Sequence, residues 1–270
     1  MDKPRLIASD VDGTLLTPLE RLSVRTIDVV HRVHADEVPF VLVSGRPPRW
    51  IPPVAHPAGI TGYAVCANGA ALYDVGTDRV ISVHGLDPVL LHDAADGLLA
   101  ALPRARLAAE RVGASAHDAA VPQFVVEHNF RNPWGDGEGH SVSRAEVLGR
   151  TAVKLLVSDE RMSSDEMAQA ARTVLGHAVD ITFSTNAGLI EISARSVTKA
   201  SGLAEVAEWV GVRATDVIAF GDMPNDVEML RWAGHGVAMA NAHPSVLKSA
   251  DEVTAPNSED GVAQVLERWF

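Results

Sequence analysis

The sequence predicts an α/β protein, with a doubly wound, mostly parallel core sheet that carries an inserted α+β domain. Three observations point there. Short runs that are apolar at every position end abruptly in small or polar residues, the pattern of strands buried on both faces. Amphipathic stretches alternate with those runs, as right-handed crossover units require. One interval between runs is far too long for a single crossover.

In chain order, Leu6-Ile7-Ala8 is the first strand and runs into Ser9-Asp10-Val11-Asp12-Gly13-Thr14. Ser23 caps a helix whose apolar positions include Ile27, Val30 and Val33. Phe40-Val41-Leu42-Val43 is the next strand, ending in Ser44-Gly45-Arg46-Pro47, and Tyr63 to Ala67 is the third, ending in Asn68-Gly69. Between Asp10 and Ser44 lie 33 residues, close to the ~30 of one strand–helix–strand unit. Between Ser44 and Lys199 lie 154. The surplus is assigned to an inserted domain at 85–187, leaving 1–84 and 188–270 as the core.

Inside the insertion, Asp87-Pro88 opens a helix through Leu102, with proline at the first helical position. Ser163 and Glu166 form a capping box for a helix reaching Leu175. Phe124-Val125-Val126, Val153 to Val157 and Ile181-Thr182-Phe183 read as antiparallel strands, and Asn129 to Ser143, rich in Gly, Asp and Pro, as a long loop. Back in the core, Thr198 caps a helix to Val210 that Gly211 stops. Val217 to Phe220 is a strand ending in Gly221-Asp222. A helix opens near Asn225 and carries Met229 and Leu230, and a last one holds Val262, Val265, Leu266 and Trp269. In such Rossmann-like sheets ligands sit beyond the carboxyl ends of the strands, and the polar clusters fall there.

Composition narrows the function classes. Of 270 residues 47% are hydrophobic and 21% charged, which provides a full core and excludes intrinsic disorder. Cys66 is the single cysteine, so no internal disulfide forms, in keeping with a reducing compartment. No apolar run approaches the ~18 residues of a membrane span, and a soluble, cytoplasmic protein with no membrane partner is expected. Lys plus Arg is 23 against 35 Asp plus Glu, a formal net charge of −12. That balance opposes nucleic-acid binding. A small phosphate ligand would need positive charge concentrated locally by a metal, a lysine or helix N-termini.

Chemistry-bearing residues cluster at the strand ends. Asp10 and Asp12 leave a buried strand at i and i+2 and point roughly the same way, given the strand period of two. One such carboxylate can attack phosphorus or hold a cation while the other moves a proton. Ser44 offers a hydroxyl, and Gly45 lets a backbone amide approach an anion. Lys199 lies beside a helix N-cap, where a cation opposes the macrodipole, a placement that suits a shared anion. Asp222, Asn225 and Asp226 can converge oxygens on a hard cation, although Asp226 fits equally well as a cap or as the orienter of Asp222 or Lys199. Arg46 can reach a substrate or serve as a salt-bridge partner. Cys66 and the pair His31 and His34 read as packing or solvated residues, and Trp134, His128 and Arg131 as loop residues that could touch substrate.

Asp10-Val11-Asp12-Gly13-Thr14-Leu15-Leu16 resembles the first motif of the haloacid dehalogenase superfamily of phosphohydrolases. Val43-Ser44-Gly45-Arg46 resembles its second motif, Lys199 stands where the third is expected, and Gly221-Asp222-Met223-Pro224-Asn225-Asp226 resembles the fourth. The motif order, the large insertion and the trailing Gly236 to Ala242 stretch resemble the Cof-type branch with a type-two cap. The resemblance implies a Mg²⁺-dependent phosphatase acting on a small phosphorylated metabolite, a sugar phosphate among the candidates. It implies Asp10 as nucleophile, forming an aspartyl-phosphate, and Asp12 as the acid and then the base. It implies Mg²⁺ on the Asp10 carboxylate, the Asp12 carbonyl and Asp222, and phosphate held by the Val11 amide, Ser44, Gly45, Lys199 and Asn225. Serine replaces the threonine more often found in the second motif and keeps the hydroxyl. A phosphotransferase or phosphomutase on the same core, and a catalytically silent sugar-phosphate-binding regulator, are the alternatives. Oligomeric state is not legible in the sequence.

Overall fold

The structure is a computed structural model and describes residues 2–131, 139–183 and 187–270. Its chain divides into two compact units, one built from the segment up to Ser82 together with Thr198–Phe270, the other from Val83–Val197.

The first half of the first unit holds β1 (Leu6–Ser9), α1 (Val24–Ala35), β2 (Phe40–Val43), α2 (Pro52–Ala55), β3 (Tyr63–Cys66), β4 (Ala71–Asp74) and β5 (Arg79–Val83). The second unit follows, with α3 (Pro88–Ala101), β6 (Arg106–Glu110), β7 (Phe124–Glu127), β8 (His140–Val142), α4 (Arg144–Leu148), β9 (Lys154–Ser158), α5 (Ser164–Leu175), β10 (Val179–Thr182) and β11 (Leu189–Ala194). The chain then returns through α6 (Lys199–Trp209), β12 (Val217–Gly221), α7 (Val227–Trp232), β13 (His235–Met239), α8 (Pro244–Leu247), β14 (Glu252–Thr254) and α9 (Gly261–Leu266).

Among the described residues the first unit carries one sheet in the order β14-β13-β12-β1-β2-β3-β4-β5, parallel from β14 to β3, with β4 antiparallel to β3. Every residue of β1, β2 and β12 is buried, which is why their sequences lack polar alternation. The order reverses at β1: β2 and β3 lie on one side, β12 to β14 on the other. This switch point opens a crevice beyond the strand ends. Register fixes what meets there. Ser9 lies opposite both Phe220 and Leu42, so Asp10 leaves β1 beside the end of β12 and its amide donates to the Phe220 carbonyl at 3.0 Å.

Helix starts follow the sequence closely. The Ser23 hydroxyl accepts from the Thr26 amide and opens α1. Thr198 and Ser201 cap α6 reciprocally. Gly202 sits inside α6, where it costs roughly 1 kcal/mol against alanine. A Cβ there would come within 2.6 Å of Val65 Cγ1 and 3.0 Å of Gly69 Cα. The helix therefore packs directly against β3 and its following turn, and this close approach sets the depth of Lys199.

The second unit has its own sheet, β10-β11-β9-β6-β7-β8, antiparallel except for β7 and β8. Its helices α3 and α5 are packed in one core with Leu91, Leu98, Leu155, Val157, Met167 and Ile192. Two expectations change here. The tract Asn129 to Ser143 is not loop throughout: its end forms β8, which pairs parallel with β7, while 132–138 and hence Trp134 lie outside the described residues. The unit also ends at Val197 and not at 187, because β11 completes the sheet between β9 and β10 before the chain leaves. Strands β5, β6 and β11 were not separately legible, since their apolar residues show no boundary signal of their own.

Lys154 and Glu191 form an ion pair at 2.5 Å inside this unit, their side chains 5% and 2% exposed. Removing one partner of such a pair strands the other charge. Lys154→Met is expected to destabilise the protein by about 3–5 kcal/mol, seen as a lower unfolding midpoint in urea; an unchanged midpoint would contradict it.

Candidate active site

The residues gathered here belong to the first unit, at the carboxyl ends of β1, β2, β3 and β12 and the first residue of α6. Its centre is a buried lysine. Lys199 Nζ donates to Asp10 Oδ1 and to Asp226 Oδ1, both at 2.6 Å. Both partners are buried, and Lys199 is 2% exposed. Burial alone would pull the ammonium down, but the Asp10 and Asp226 charges outweigh it and raise it, so Lys199 remains a cation.

Asp226 spends its other oxygen on the backbone. The amides of Asp222 and Met223 donate to Oδ2 at 3.0 and 2.9 Å. That bond geometry turns the chain after β12 and fixes Asp222, whose Oδ1 accepts from the Thr14 hydroxyl at 3.0 Å. The Asp222 carbonyl accepts in turn from the His243 amide. Gly13 makes room for this carboxylate: with φ at +77°, a Cβ there would stand 2.3 Å from Asp222 Oδ2. Asn241 Nδ2 donates to the Gly13 carbonyl at 2.9 Å and holds the turn from outside.

Asp10, Asp222 and Asp226 each place a carboxylate oxygen within 4.8 Å of the others. Three acids face one lysine, so the cluster is short of positive charge. The carboxyls register the deficit: burial, aided by Asp226 and Asp222, pushes Asp10 well above the usual range despite Lys199. Burial and then the charge of Asp226 push Asp222 up to about 6. An all-oxygen set lacking one cation suits a hard divalent ion. Asp226 has both oxygens engaged, so Asp10 and Asp222 are the side chains fitted to hold it, with Asp226 behind them.

Asp12 is differently placed. It is exposed and held bidentately by Arg46, Nε to Oδ2 at 2.8 Å and Nη2 to Oδ1 at 2.6 Å. Arg46 thus reaches Asp12 directly. Ser44 is buried, and its hydroxyl accepts from the Arg46 amide at 3.1 Å. Asn225 Nδ2 donates to Asn68 Oδ1 at 3.0 Å. The motif residues Asp10, Ser44, Lys199, Asp222 and Asn225 therefore line neighbouring strand ends. Of the expected loop residues outside the first unit, Arg131 is paired with Glu160.

The sequence profile of the haloacid dehalogenase-like hydrolases matches residues 7–266. This chain belongs to the haloacid dehalogenase-like hydrolases. A 5-amino-6-(5-phospho-D-ribitylamino)uracil phosphatase of Bacillus subtilis is 30% identical over 279 residues, covering 99% of this chain and 98% of its own. The HMP-PP phosphatase of Serratia proteamaculans is 28% identical, covering 98% and 95%. A haloacid dehalogenase-like hydrolase from B. subtilis superposes with a TM-score of 0.83 at 22% identity, covering 98% of this chain and 100% of its own. The sugar phosphatase BT4131, of subclass IIB in the same superfamily, shares the fold with a TM-score of 0.80 at 21% identity, covering 98% of each chain. The protein is accordingly an enzyme of the phosphatase class. Among its described residues no helix is long and apolar enough to cross a membrane.

In this haloacid dehalogenase-like hydrolase, Thr14, Asn68 and Asn241 lie in stretches that the sequence marks, but their individual bonding roles are not legible there. Each bonds residues distant in sequence, Thr14 to Asp222, Asn68 to Asn225, and Asn241 to both Gly13 and Asn257, a role that no local pattern advertises.

Gly13→Ala is expected to lower turnover of a chromogenic phosphate ester by at least about tenfold, equivalent to ~1.4 kcal/mol, with the circular-dichroism spectrum retained. The methyl group must displace Asp222 or break the left-handed turn; unchanged turnover would show that neither matters.

Proposed function

We propose that the protein is a Mg²⁺-dependent phosphatase that hydrolyses a small phosphomonoester, of the sugar-phosphate class, through an aspartyl-phosphate on Asp10. The single observation that carries this reading is the Lys199 bridge between Asp10 and Asp226. It holds the Asp10 carboxylate through Oδ1 and so fixes the direction in which its second oxygen points. The substrate class is supported by the B. subtilis relative, whose name specifies a phosphoribityl compound.

Asp10 attacks phosphorus with the carboxylate oxygen not held by Lys199, forming an O–P bond as the ester O–P bond breaks. Asp12 gives a proton to the leaving oxygen and later takes one from the water that cleaves the aspartyl-phosphate, releasing phosphate and restoring Asp10. Asp12 is exposed and paired with Arg46 in the resting arrangement, so Arg46 must yield one or both of these hydrogen bonds before Asp12 takes up a proton. Released guanidinium donors can then bind the substrate, which reconciles the two roles open to Arg46. The Val11 amide, Ser44, Gly45, Lys199 and Asn225 hold the phosphoryl oxygens. Lys199 serves two ends, neutralising Asp10 while keeping a cation beside the anion.

Mg²⁺ would be held by Asp10, Asp222 and the Asp12 carbonyl, and when bound it supplies Lewis-acid neutralisation of the phosphoryl charge. Without such compensation a phosphate dianion cannot approach this cluster of acids in a chain of net charge −12.

Asp10→Asn is expected to abolish phosphate release from para-nitrophenyl phosphate and from a panel of sugar phosphates while the fold persists; substantial turnover by the variant with Mg²⁺ present would defeat the covalent route. Chelation by EDTA is expected to silence the wild type and Mg²⁺ to restore it. Full turnover in EDTA would remove the metal from the reading.

A further inference from the structure

At one end of the second unit's sheet lies a pocket of about 500 Å³. Four arginines line it, Arg104, Arg106, Arg131 and Arg161, together with Asp159 and Glu160. Register places it within the unit. Arg106 opens β6 opposite Ser158, the last residue of β9, and Ser158 is paired in turn with Leu189, the first residue of β11. The chain enters and leaves the unit at the other end of these strands, where the Leu86 amide donates to the Ala152 carbonyl and β11 closes on Ala194. Every lining residue belongs to Val83–Val197, so the pocket is built without any residue of the acid and lysine cluster.

Backbone contacts fix its walls. The Ala105 amide donates to the Leu102 carbonyl at 3.0 Å, and both residues are buried, which anchors the turn bearing Arg104. On the turn after β9, the Asp159 amide donates to the Gly188 carbonyl at 2.9 Å and the Met162 amide to the Asp159 carbonyl at 3.2 Å. Gly188 has φ at +73°, and a Cβ there would stand 2.4 Å from the Asp159 carbonyl oxygen and 2.8 Å from that of Met162. That close approach holds the turn carrying Glu160 and Arg161. Walls set in advance spare a ligand the cost of ordering them.

Both acids of the lining are already engaged. Asp159 Oδ1 accepts from the Arg161 amide at 3.0 Å, and Glu160 pairs with Arg131 at 3.1 Å. Arg106 donates to the Ala105 carbonyl at 3.4 Å, a long bond. Among the described residues the guanidiniums of Arg104 and Arg161 have no hydrogen bond or ion pair. Four guanidiniums against two carboxylates leave two positive charges, in a chain whose net charge is −12. A concave cluster of one sign draws counter-ions, and guanidinium forks match the paired oxygens of phosphate and carboxylate. A ligand of charge −2 balances the lining, and the volume suits a small molecule.

We propose that this pocket binds a small organic dianion, a phosphomonoester or a dicarboxylate, through Arg104, Arg106 and Arg161. It is a second anion site, built on residues other than those assigned to the phosphoryl group.

Isothermal titration calorimetry on the full chain with Mg²⁺ present tests this. Succinate is the dicarboxylate probe, and phenylphosphonate, which has no ester bond to cleave, is the phosphomonoester probe. At least one is expected to bind, and the probe that binds identifies the class. Arg104→Gln and Arg161→Gln are each expected to weaken that binding by about tenfold or more. Both side chains belong to exposed residues, so the variants are expected to keep the wild-type unfolding midpoint. Without probe, their turnover of para-nitrophenyl phosphate is expected to stay within about twofold of the wild type. A larger loss would make the pocket part of the substrate site and overturn its standing as a second one. Failure of both probes to bind would overturn the proposal outright. Binding that both substitutions leave unchanged and that inorganic phosphate displaces would assign the anion to the phosphoryl site, with the same consequence.

Discussion

The buried contact of Lys199 with Asp10 and Asp226 is the constraint on which the rest of the first unit depends. A lysine with 2% exposure is stable only if its charge is matched, and the match joins three stretches far apart in the chain. It fixes the start of α6 against the end of β1 and against the turn after β12. Because Asp226 also accepts from two backbone amides, the same side chain that neutralises Lys199 shapes the loop bearing Asp222. Substituting any member disturbs charge and backbone together.

That arrangement leaves the cluster anionic by design. One lysine serves Asp10, Asp226 and Asp222, and burial keeps water from compensating. The deficit gives the site an appetite for a small hard cation, and the cation in turn makes room for an anionic ester. The overall negative charge of the protein is therefore no obstacle to phosphate chemistry: charge is concentrated over a few ångströms and only the local balance matters there.

Packing detail supplies the precision. Gly13 has no side chain to collide with Asp222, and Gly202 lets α6 lie directly on β3. Asp12 stands apart, exposed and paired with Arg46, an arrangement that suits the proton-exchanging role proposed for it. The buried acid is held rigid while the exposed acid is held by a partner that can let go. In the second unit, Lys154 and Glu191 show the same matching of buried charge.

Much of this was legible in the residues. The all-apolar runs at Leu6, Phe40, Tyr63 and Val217 marked the central strands, and capping patterns at Ser23, Ser163 and Thr198 marked helix starts, because both signals are local. The motifs at Asp10, Ser44, Lys199 and Asp222 announced phosphoryl chemistry by residue type and order. The sequence alone could not decide pairings made across distance. It left Asp226 open between cation ligand, helix cap and orienter of Asp222 or Lys199; only the fold showed both its oxygens engaged. It left Arg46 open between substrate and salt bridge; only the fold brought it onto Asp12. Thr14, Asn68 and Asn241 stood within stretches the sequence marks, but the partners they bond had no signal, and β11 extended the inserted unit beyond its expected end. Local preference along a chain determines which elements form and which reactive groups stand at their ends, while hydrogen-bond partners separated by as many as 242 residues exist only once tertiary packing has brought them within about 3 Å.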